Sequence, residues 1–180
     1  MPQKRIFWID LEMSGLQPDK DPIMEVAAII TDWNFKEIAT YHGIVKNKVS
    51  VIKSRMANKE NVSFWNKYSK SKEGLLKQNK NGKSIKKIEK ELLDLIDRNF
   101  KPAVPVLLGG SSVHVDRRFI IEQMPKLNNR LHYRMLDVSA WKVVFEGKYH
   151  KNFTKPNKHR ALDDIHGSIL ELQYYLTNLK

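Results

Sequence analysis

Short apolar runs in the first fifty positions predict β-strands. Residues 6–9 form an apolar, aromatic-rich run typical of a buried strand, and two further runs follow at residues 25–33 and 39–45. Turn-forming residues at 14–18 separate the first two runs. Because the connections are short, we expect these three strands to pair as an antiparallel meander.

Helical periodicity dominates the remainder of the chain. Ser84 is a suitable N-cap, and apolar residues recur after it at positions 85, 88, 92, 95 and 96. We also predict helices at 58–70, 115–127 and 139–146, strands at 104–108 and 134–138, and a basic loop at 147–158. The final helix carries an apolar stripe, which comprises Leu162, Ile165, Ile169, Leu172 and Leu176. This order of elements predicts an α/β fold, in which helices cover the faces of a mixed sheet.

The composition is typical of one folded unit. We expect a single domain over residues 1–180, because 180 residues with 41% hydrophobic and 29% charged residues can form one core. No apolar run approaches the ~20 residues that span a bilayer, and the first residues lack the apolar core of a signal peptide. We therefore expect a cytoplasmic protein with no membrane partner. The absence of cysteine excludes thiolate metal sites, so any metal must be bound by Asp, Glu or His.

The chain is strongly basic. It has 32 Lys and Arg residues against 20 Asp and Glu residues, a formal net charge of +12 at pH 7. Such a charge attracts polyanions, because neutralising phosphates releases condensed counterions. Lysines that coat a surface can also serve only to keep a protein in solution. The charge alone therefore leaves nucleic-acid binding and plain solvation as two open interpretations.

Acidic residues follow two of the predicted strands. Asp10 and Glu12 lie two positions apart at the end of the first strand, so their side chains point to the same face. Asp116 lies at the start of the helix that follows the strand at 104–108. An acidic residue at this position can also have a purely structural role, because its charge interacts favourably with the helix dipole. Each feature is weak evidence of function by itself.

The start of the last helix combines a histidine with two acidic residues. At ~100° per residue, Asp164 lies at the edge of the inward-facing side of this helix, and Asp163 faces solvent. His159 lies five positions before Asp164. It can serve the same site only from a loop or from the first helical turn.

Four motifs in this order resemble the DEDDh exonucleases of the ribonuclease H-like superfold, and among them most closely the oligoribonucleases. The motifs are WIDLEMSGL at 8–16, DRRF at 116–119, HYRMLDVS at 132–139 and HRALDDI at 159–165. They extend over nearly the whole chain. The resemblance implies a mixed sheet whose first three strands are antiparallel and whose later strands are parallel, flanked by helices.

The resemblance also implies a reaction. It implies a 3′→5′ exoribonuclease that degrades short RNA oligonucleotides, notably dinucleotides, to 5′-mononucleotides. Two divalent cations, Mg²⁺ or Mn²⁺, would be bound by the carboxylates of Asp10, Glu12, Asp116 and Asp164. His159 would be the general base. Carboxylate oxygens suit these hard cations, and histidine titrates near neutral pH.

Further residues that match the family pattern are implied to contact substrate. Leu16 would wedge against the terminal bases, and Trp65 would offer a stacking face. The 5′-phosphate would be bound near the second and third motifs, by Ser112, Arg134, Ser139 and, from the second subunit of a homodimer, Tyr133. Beyond this second copy, we expect no obligate protein partner.

The chain departs from the family pattern at a few positions. It has Ser111 where the family commonly has Asn, His114-Val115 where Gly-Gln is usual, and Lys70 where His is frequent. A lysine at position 70 can still contact phosphate. These departures affect the expected substrate contacts and leave the expected reaction unchanged.

Two other functions stay open at this point. The same chemistry could act on longer single-stranded RNA or DNA, as in a trimming or proofreading exonuclease, and a rate that rises with substrate length would indicate this. The third interpretation is a non-catalytic nucleic-acid-binding protein on the same scaffold. Binding without metal-dependent hydrolysis would indicate it.

Overall fold

A computed structural model describes residues 4–102, 104–154 and 160–179 of the chain. The strands are β1 (Arg5–Met13), β2 (Ile23–Asp32), β3 (Glu37–Ile44), β4 (Val106–Gly110) and β5 (Leu131–Asp137). The helices are α1 (Val49–Ala57), α2 (Val62–Lys67), α3 (Ser69–Gln78), α4 (Ile85–Asn99), α5 (Val113–Gln123), α6 (Pro125–Asn128), α7 (Val138–Tyr149) and α8 (Ala161–Thr177). A 3₁₀ turn, Asn79–Asn81, follows α3.

The five strands form one mixed sheet in the order β3-β2-β1-β4-β5. Strand β2 is antiparallel to both β1 and β3, whereas β4 is parallel to β1 and to β5. The expected α/β fold, with an antiparallel meander followed by parallel strands, is confirmed. Strands β1, β4 and β5 all end at the same edge, which we call the carboxyl edge of the sheet. Sites in open α/β sheets gather at such an edge.

Alternating side chains of β1 divide the core into two layers. Phe7, Ile9 and Leu11 belong to the cluster that includes buried residues of α4, α5 and α6. Ile6 and Trp8 face the opposite way, into a cluster with α7 and α8. A third, smaller cluster joins α1, α2 and α3 to the start of β2 at the carboxyl edge. Among the described residues, no helix is both long and apolar enough to cross a membrane.

Several predicted boundaries were wrong for local physical reasons. The predicted helix at 58–70 is divided between α2 and α3, and the one at 115–127 breaks at Met124, directly before Pro125. Helix α7 continues to Tyr149, so the predicted loop begins later than residue 147, and residues 155–158 of that loop lie outside the described ranges. In the final helix Leu176 is exposed. The N-cap at Ser84 is confirmed, because its side chain accepts a hydrogen bond from the Lys87 amide.

Candidate active site

Three carboxylates converge at the carboxyl edge of the sheet. Asp10 and Glu12 lie on the face of β1 that also carries Ile6 and Trp8, and therefore point toward α8. Asp164 lies in the first turn of α8. One oxygen from each of Asp10, Glu12 and Asp164 lies within 4.8 Å of the others. We call these three residues the acidic cluster.

The fourth predicted ligand, Asp116, lies beside this cluster. It is buried in the first turn of α5, and its Oδ1 accepts a hydrogen bond of 3.0 Å from the Leu11 amide. Strand β1 pairs with β4 at Phe7 and Trp8. Beyond Trp8, the backbone groups of β1 that face β4 therefore form no sheet hydrogen bonds with that strand. Asp116 thus links α5 to the stretch of β1 that carries the acidic cluster.

The electrostatics of the cluster favour a divalent cation. Burial raises the pKa of Glu12 to about 8, and the neighbouring carboxylates of Asp164, Glu25 and Asp116 act in the same direction. The guanidinium of Arg160 has the opposite, smaller effect. Carboxylate oxygens at this spacing are the donors that Mg²⁺ and Mn²⁺ prefer, so the residues present fit a divalent metal site.

A buried ion pair borders the acidic cluster. Glu25 on β2 is the cross-strand neighbour of Glu12 and is 1% exposed. Arg160 donates from Nε to Glu25 Oε2 at 3.0 Å and from Nη2 to Oε1 at 2.8 Å, and His42 Nε2 lies 2.6 Å from Oε1. Although burial raises the pKa of Glu25, the hydrogen bonds from His42 and Arg160 hold it below its usual value. Arg160 also donates to Gln78 and so joins the start of α8 to α3.

A cavity of about 330 Å³ opens beside the acidic cluster. Its walls come from the end of β1, the following turn, α2 and the start of α8, and are formed by Asp10, Leu11, Glu12, Met13, Gly15, Leu16, Glu60, Asn61, Phe64, Trp65, Ser111 and Asp164. Ligand pockets commonly measure ~300–1,000 Å³, so this one is at the small end. The carboxylates thus face a space suited to a small ligand.

The turn that presents Leu16 to the cavity is held by Asp21. The Ser14 hydroxyl donates to Asp21 Oδ1 at 3.1 Å, and the Gln17 amide donates to Oδ2 at 2.8 Å. Arg55 pairs with the same carboxylate at 2.7 Å. The Leu16 side chain is 64% exposed at the cavity. It is therefore free to contact a ligand, and its role as a wedge stays a prediction.

Trp65 lines the cavity but is only 1% exposed. Its indole donates to the Ser14 carbonyl at 2.9 Å, and its ring packs with the third core cluster. Phe64, next to it in α2, contacts Trp65 edge-on at 5.1 Å between ring centroids, lines the same cavity and is 42% exposed. The more accessible aromatic surface is thus that of Phe64, which sequence reasoning missed. The predicted stacking role of Trp65 stays a prediction.

Ser112 and Ser139 lie together at the starts of α5 and α7. Their hydroxyl oxygens are 2.9 Å apart, and Asp137 Oδ1 accepts hydrogen bonds from both of their amides. Ser112 has a left-handed backbone, with φ of 50°. Because Asp137 occupies the two amides, the hydroxyl groups are what this pair can offer to a phosphate. Ser111, which also lines the cavity, contacts the Ser168 hydroxyl at 2.9 Å.

Two further predicted residues, Tyr133 and Arg134, do not line the cavity. Tyr133 and Arg134 are exposed on β5, with the guanidinium 5.4 Å from the Tyr133 ring centroid, and Tyr133 is 72% exposed. His159 lies outside the described residues. Asn61 also lines the cavity, but it belongs to no charged or periodic pattern in the sequence, whereas Ser111 is one of the positions that depart from the family pattern.

The sequence matches the family described as Exonuclease over residues 7–172. It is 37% identical to the oligoribonuclease of Chromobacterium violaceum over 173 residues, which cover 94% of this chain and 92% of that protein. It is 39% identical to the oligoribonuclease of Francisella tularensis subsp. novicida, covering 97% of this chain and 95% of the relative. The mitochondrial oligoribonuclease of Mus musculus is 35% identical, over 98% of this chain and 73% of its own length.

Solved structures share the fold at much lower identity. Exonuclease I from Methylocaldum szegediense superposes with a TM-score of 0.66 at 13% identity, covering 97% of this chain and 41% of the other. E. coli exonuclease I in complex with an oligonucleotide gives a TM-score of 0.64 at 13% identity, covering 98% and 41%. The chain therefore spans less than half the length of these structures, and the likeness concerns the fold alone.

Proposed function

Because this chain belongs to the exonuclease family and, within it, to the oligoribonucleases, we propose that it hydrolyses short RNA oligonucleotides from the 3′ end. The products are 5′-mononucleotides, and dinucleotides are the favoured substrates. The observation that carries this proposal is the convergence of Asp10, Glu12 and Asp164, one oxygen of each within 4.8 Å, at a cavity of about 330 Å³.

The proposed roles divide between residues that bind the cations and the attacking water and residues that contact the substrate. Asp10, Glu12, Asp116 and Asp164 bind two divalent cations, Mg²⁺ or Mn²⁺, and thereby set the position of the scissile phosphate. When bound, such cations lower the pKa of water and stabilise the oxygen that leaves. His159 takes the proton of the attacking water as general base.

The proposed substrate contacts lie around the cavity. Leu16 and the aromatic pair of α2 contact the bases, since Leu16 and Phe64 have exposed apolar surface at the cavity. The 5′-phosphate is bound next to the Ser111 side of the cavity. The residues that bind it are Ser112, Ser139, Arg134 and, from the partner subunit, Tyr133. Occupation of this end would favour substrates of two nucleotides.

Assembly, location and domain structure belong to the same proposal. We propose a homodimer, supported by exposed apolar side chains on β5 and α7: Tyr133 is 72% exposed, Val143 70% and Val144 48%. We also propose that residues 1–180 form a single domain and that the protein acts in the cytoplasm. Sedimentation analysis of wild type and Val143→Glu tests the dimer, which this charge is expected to weaken.

The experiment that tests the function is incubation of a 5′-labelled diribonucleotide with Mg²⁺, with Mn²⁺ and with a chelator. We expect labelled mononucleotide with either cation and none with the chelator. Hydrolysis that persists in chelator would contradict the metal site. A series of increasing RNA length tests the substrate class, because a rate that rises steadily from two nucleotides upward would indicate an exonuclease for long strands.

A further inference from the structure

The positive charge of the chain is concentrated in one segment. Residues 46–90 contain 14 Lys and Arg against 3 Asp and Glu, so this quarter of the chain carries +11 of the net +12. The remaining residues contain 18 basic and 17 acidic side chains. A compositional bias toward lysine would raise the lysine content everywhere. The concentration in one segment is therefore a feature of this surface rather than of the whole protein.

The two ends of this segment lie side by side. The Lys46 amide donates to the Lys83 carbonyl at 2.8 Å, and the Lys83 amide donates to the Ile44 carbonyl at 2.8 Å. One turn away, the side chain of Asn79 accepts from the Asn47 amide and donates to the Asn47 carbonyl. Lysines far apart in sequence are thus brought to one surface, which we call the basic surface and which comprises Lys46, Lys48, Lys77 and Lys80.

The lysines of the basic surface are exposed and without carboxylate partners in the described part of the chain. All four are exposed to solvent. The salt bridges found in the same segment involve Arg55 with Asp21, and Lys83 and Lys87 with Glu91. A fold that only needed solubility could intersperse charges of both signs, as the rest of this chain does. The unpaired charge here instead creates a strong positive potential.

The same segment also forms one wall of the proposed active site. Asn61 and Phe64 line the cavity, and α2 leads through Lys67 into α3, whose C-terminal end is followed by the basic surface. Arg160 ties the end of α3 to the acidic side of the site through Gln78. The segment that carries the positive charge is therefore continuous with one wall of the cavity.

We propose that the basic surface binds the phosphate backbone of single-stranded RNA longer than the cavity can hold. Lys46, Lys48, Lys77 and Lys80 each contact phosphate without reading the bases. The choice of RNA as the polyanion rests on the proposed function, whereas the binding itself needs neither metal nor hydrolysis. The surface holds the enzyme close to longer RNA, from which short fragments are released by other nucleases.

The test compares two matched quadruple variants of the full chain. One replaces the basic surface, as Lys46→Gln, Lys48→Gln, Lys77→Gln and Lys80→Gln. The control removes the same charge from other exposed positions, as Lys36→Gln, Lys101→Gln, Lys126→Gln and Lys148→Gln. Binding of an RNA of about twenty nucleotides is measured by fluorescence anisotropy in chelator over a series of NaCl concentrations. Hydrolysis of a diribonucleotide is measured separately with Mg²⁺.

We expect the first variant to bind this RNA at least tenfold more weakly at the lowest NaCl concentration and the difference to narrow as salt rises, because its slope of log K against log salt is smaller by about 3, at ~0.7 per lost contact with single-stranded phosphate. The control should keep most of the wild-type slope, and both variants should hydrolyse the dinucleotide at the wild-type rate. An equal loss in the control would overturn the proposal, as would an unchanged slope in the first variant.

Failure of this proposal is distinguishable from failure of the proposed function. If RNA binding depends on the four lysines but the protein does not hydrolyse the dinucleotide, the proposal for the basic surface is supported and the proposed exonuclease activity is contradicted. If the protein hydrolyses the dinucleotide but RNA binding does not depend on these lysines, the exonuclease activity is supported and the proposal for the basic surface is contradicted.

Discussion

Buried carboxylates at the carboxyl edge of the sheet fall into two groups. Asp21 and Glu25 each have a guanidinium partner, Arg55 at 2.7 Å and Arg160 at 2.8 Å. Glu12 and Asp164 are similarly buried, but their closest ionisable neighbours include other carboxylates. The pKa of Asp21 and of Glu25 is lowered, in each case because hydrogen bonds outweigh burial. The pKa of Glu12 is raised to about 8.

The difference separates structural acids from acids that bind a ligand. A buried charge needs a compensating charge, and a protein that only needs stability supplies one from its own side chains. Asp21 holds the turn with Leu16, and Glu25 holds the start of α8. In the acidic cluster, the charged neighbours that act on Glu12 are mainly other carboxylates, so a cation from solution is the expected partner. The following predictions test this division.

The largest effect is expected from Asp164→Ala. Loss of one metal ligand should reduce diribonucleotide hydrolysis roughly a thousandfold, ~4 kcal/mol in the activation barrier. Asp163→Ala is the matched control, because Asp163 lies in the same helical turn and is exposed. Its rate should stay within about twofold of wild type. Comparable rates for Asp164→Ala and wild type, measured with 5′-labelled substrate, would remove Asp164 from the metal site.

Arg55→Ala should mainly change stability. It leaves the Asp21 carboxylate buried without its guanidinium, and the free energy of unfolding should fall by ~3 kcal/mol. Urea unfolding measures this loss, and Asp21→Asn in the same chain should restore part of it. Added Mg²⁺ should stabilise wild type and Arg55→Ala equally. A larger Mg²⁺ effect in the variant would show that Asp21 also binds the cation once Arg55 is removed, which would contradict the division into two groups.

The pH dependence of stability should reveal Glu12. The pKa of Glu12 is about 8 in the folded protein and near 4.5 in the unfolded chain, so between these values the folded state binds more protons. In chelator, the free energy of unfolding should therefore fall as pH rises, by about 2 kcal/mol between pH 5 and pH 7. Glu12→Gln should flatten this slope, and so should saturating Mg²⁺ in wild type. A slope that survives in Glu12→Gln would assign the titration to other groups.

The smallest effect is expected from His42→Ala. His42 contacts Glu25 at 2.6 Å, but its ring is 39% exposed and Arg160 still compensates the carboxylate after the substitution. The free energy of unfolding should fall by ~1 kcal/mol, with dinucleotide hydrolysis unchanged. His166→Ala, which removes an exposed contact to Glu37, is the control and should cost less than ~0.5 kcal/mol. Thermal unfolding of both variants decides the order.

The fold follows from the sequence where local pattern and burial agree. Residues 6–9 alternate between two apolar layers and are recognisable as a strand, and the residues after Ser84 repeat at helical spacing. Helix α1 was missed because Ile52 and Met56 are its only buried residues, too few for a periodic signal. From the sequence Trp65 could be either a core residue or a ligand contact, since its burial depends on α1 and α3 packing around it.

The candidate site could be predicted only in part for a related reason. The motifs contain the acidic cluster because Asp10 and Glu12 lie on one strand and Asp164 opens a helix at its inner edge. Arg160 and Glu25 pair across 135 positions of the chain, and no local pattern relates them. The accessibility of Phe64 could not be predicted from the sequence, because only the packing of α2 decides which of two adjacent aromatic side chains stays exposed.

The position of Asp164 on α8 also has a consequence during protein synthesis. The first carboxylate of the acidic cluster is at residue 10 and the last at residue 164, on a helix that packs onto β1 and β2. A nascent chain without α8 has an incomplete cation site. Nuclease activity is therefore expected only when translation has passed this helix.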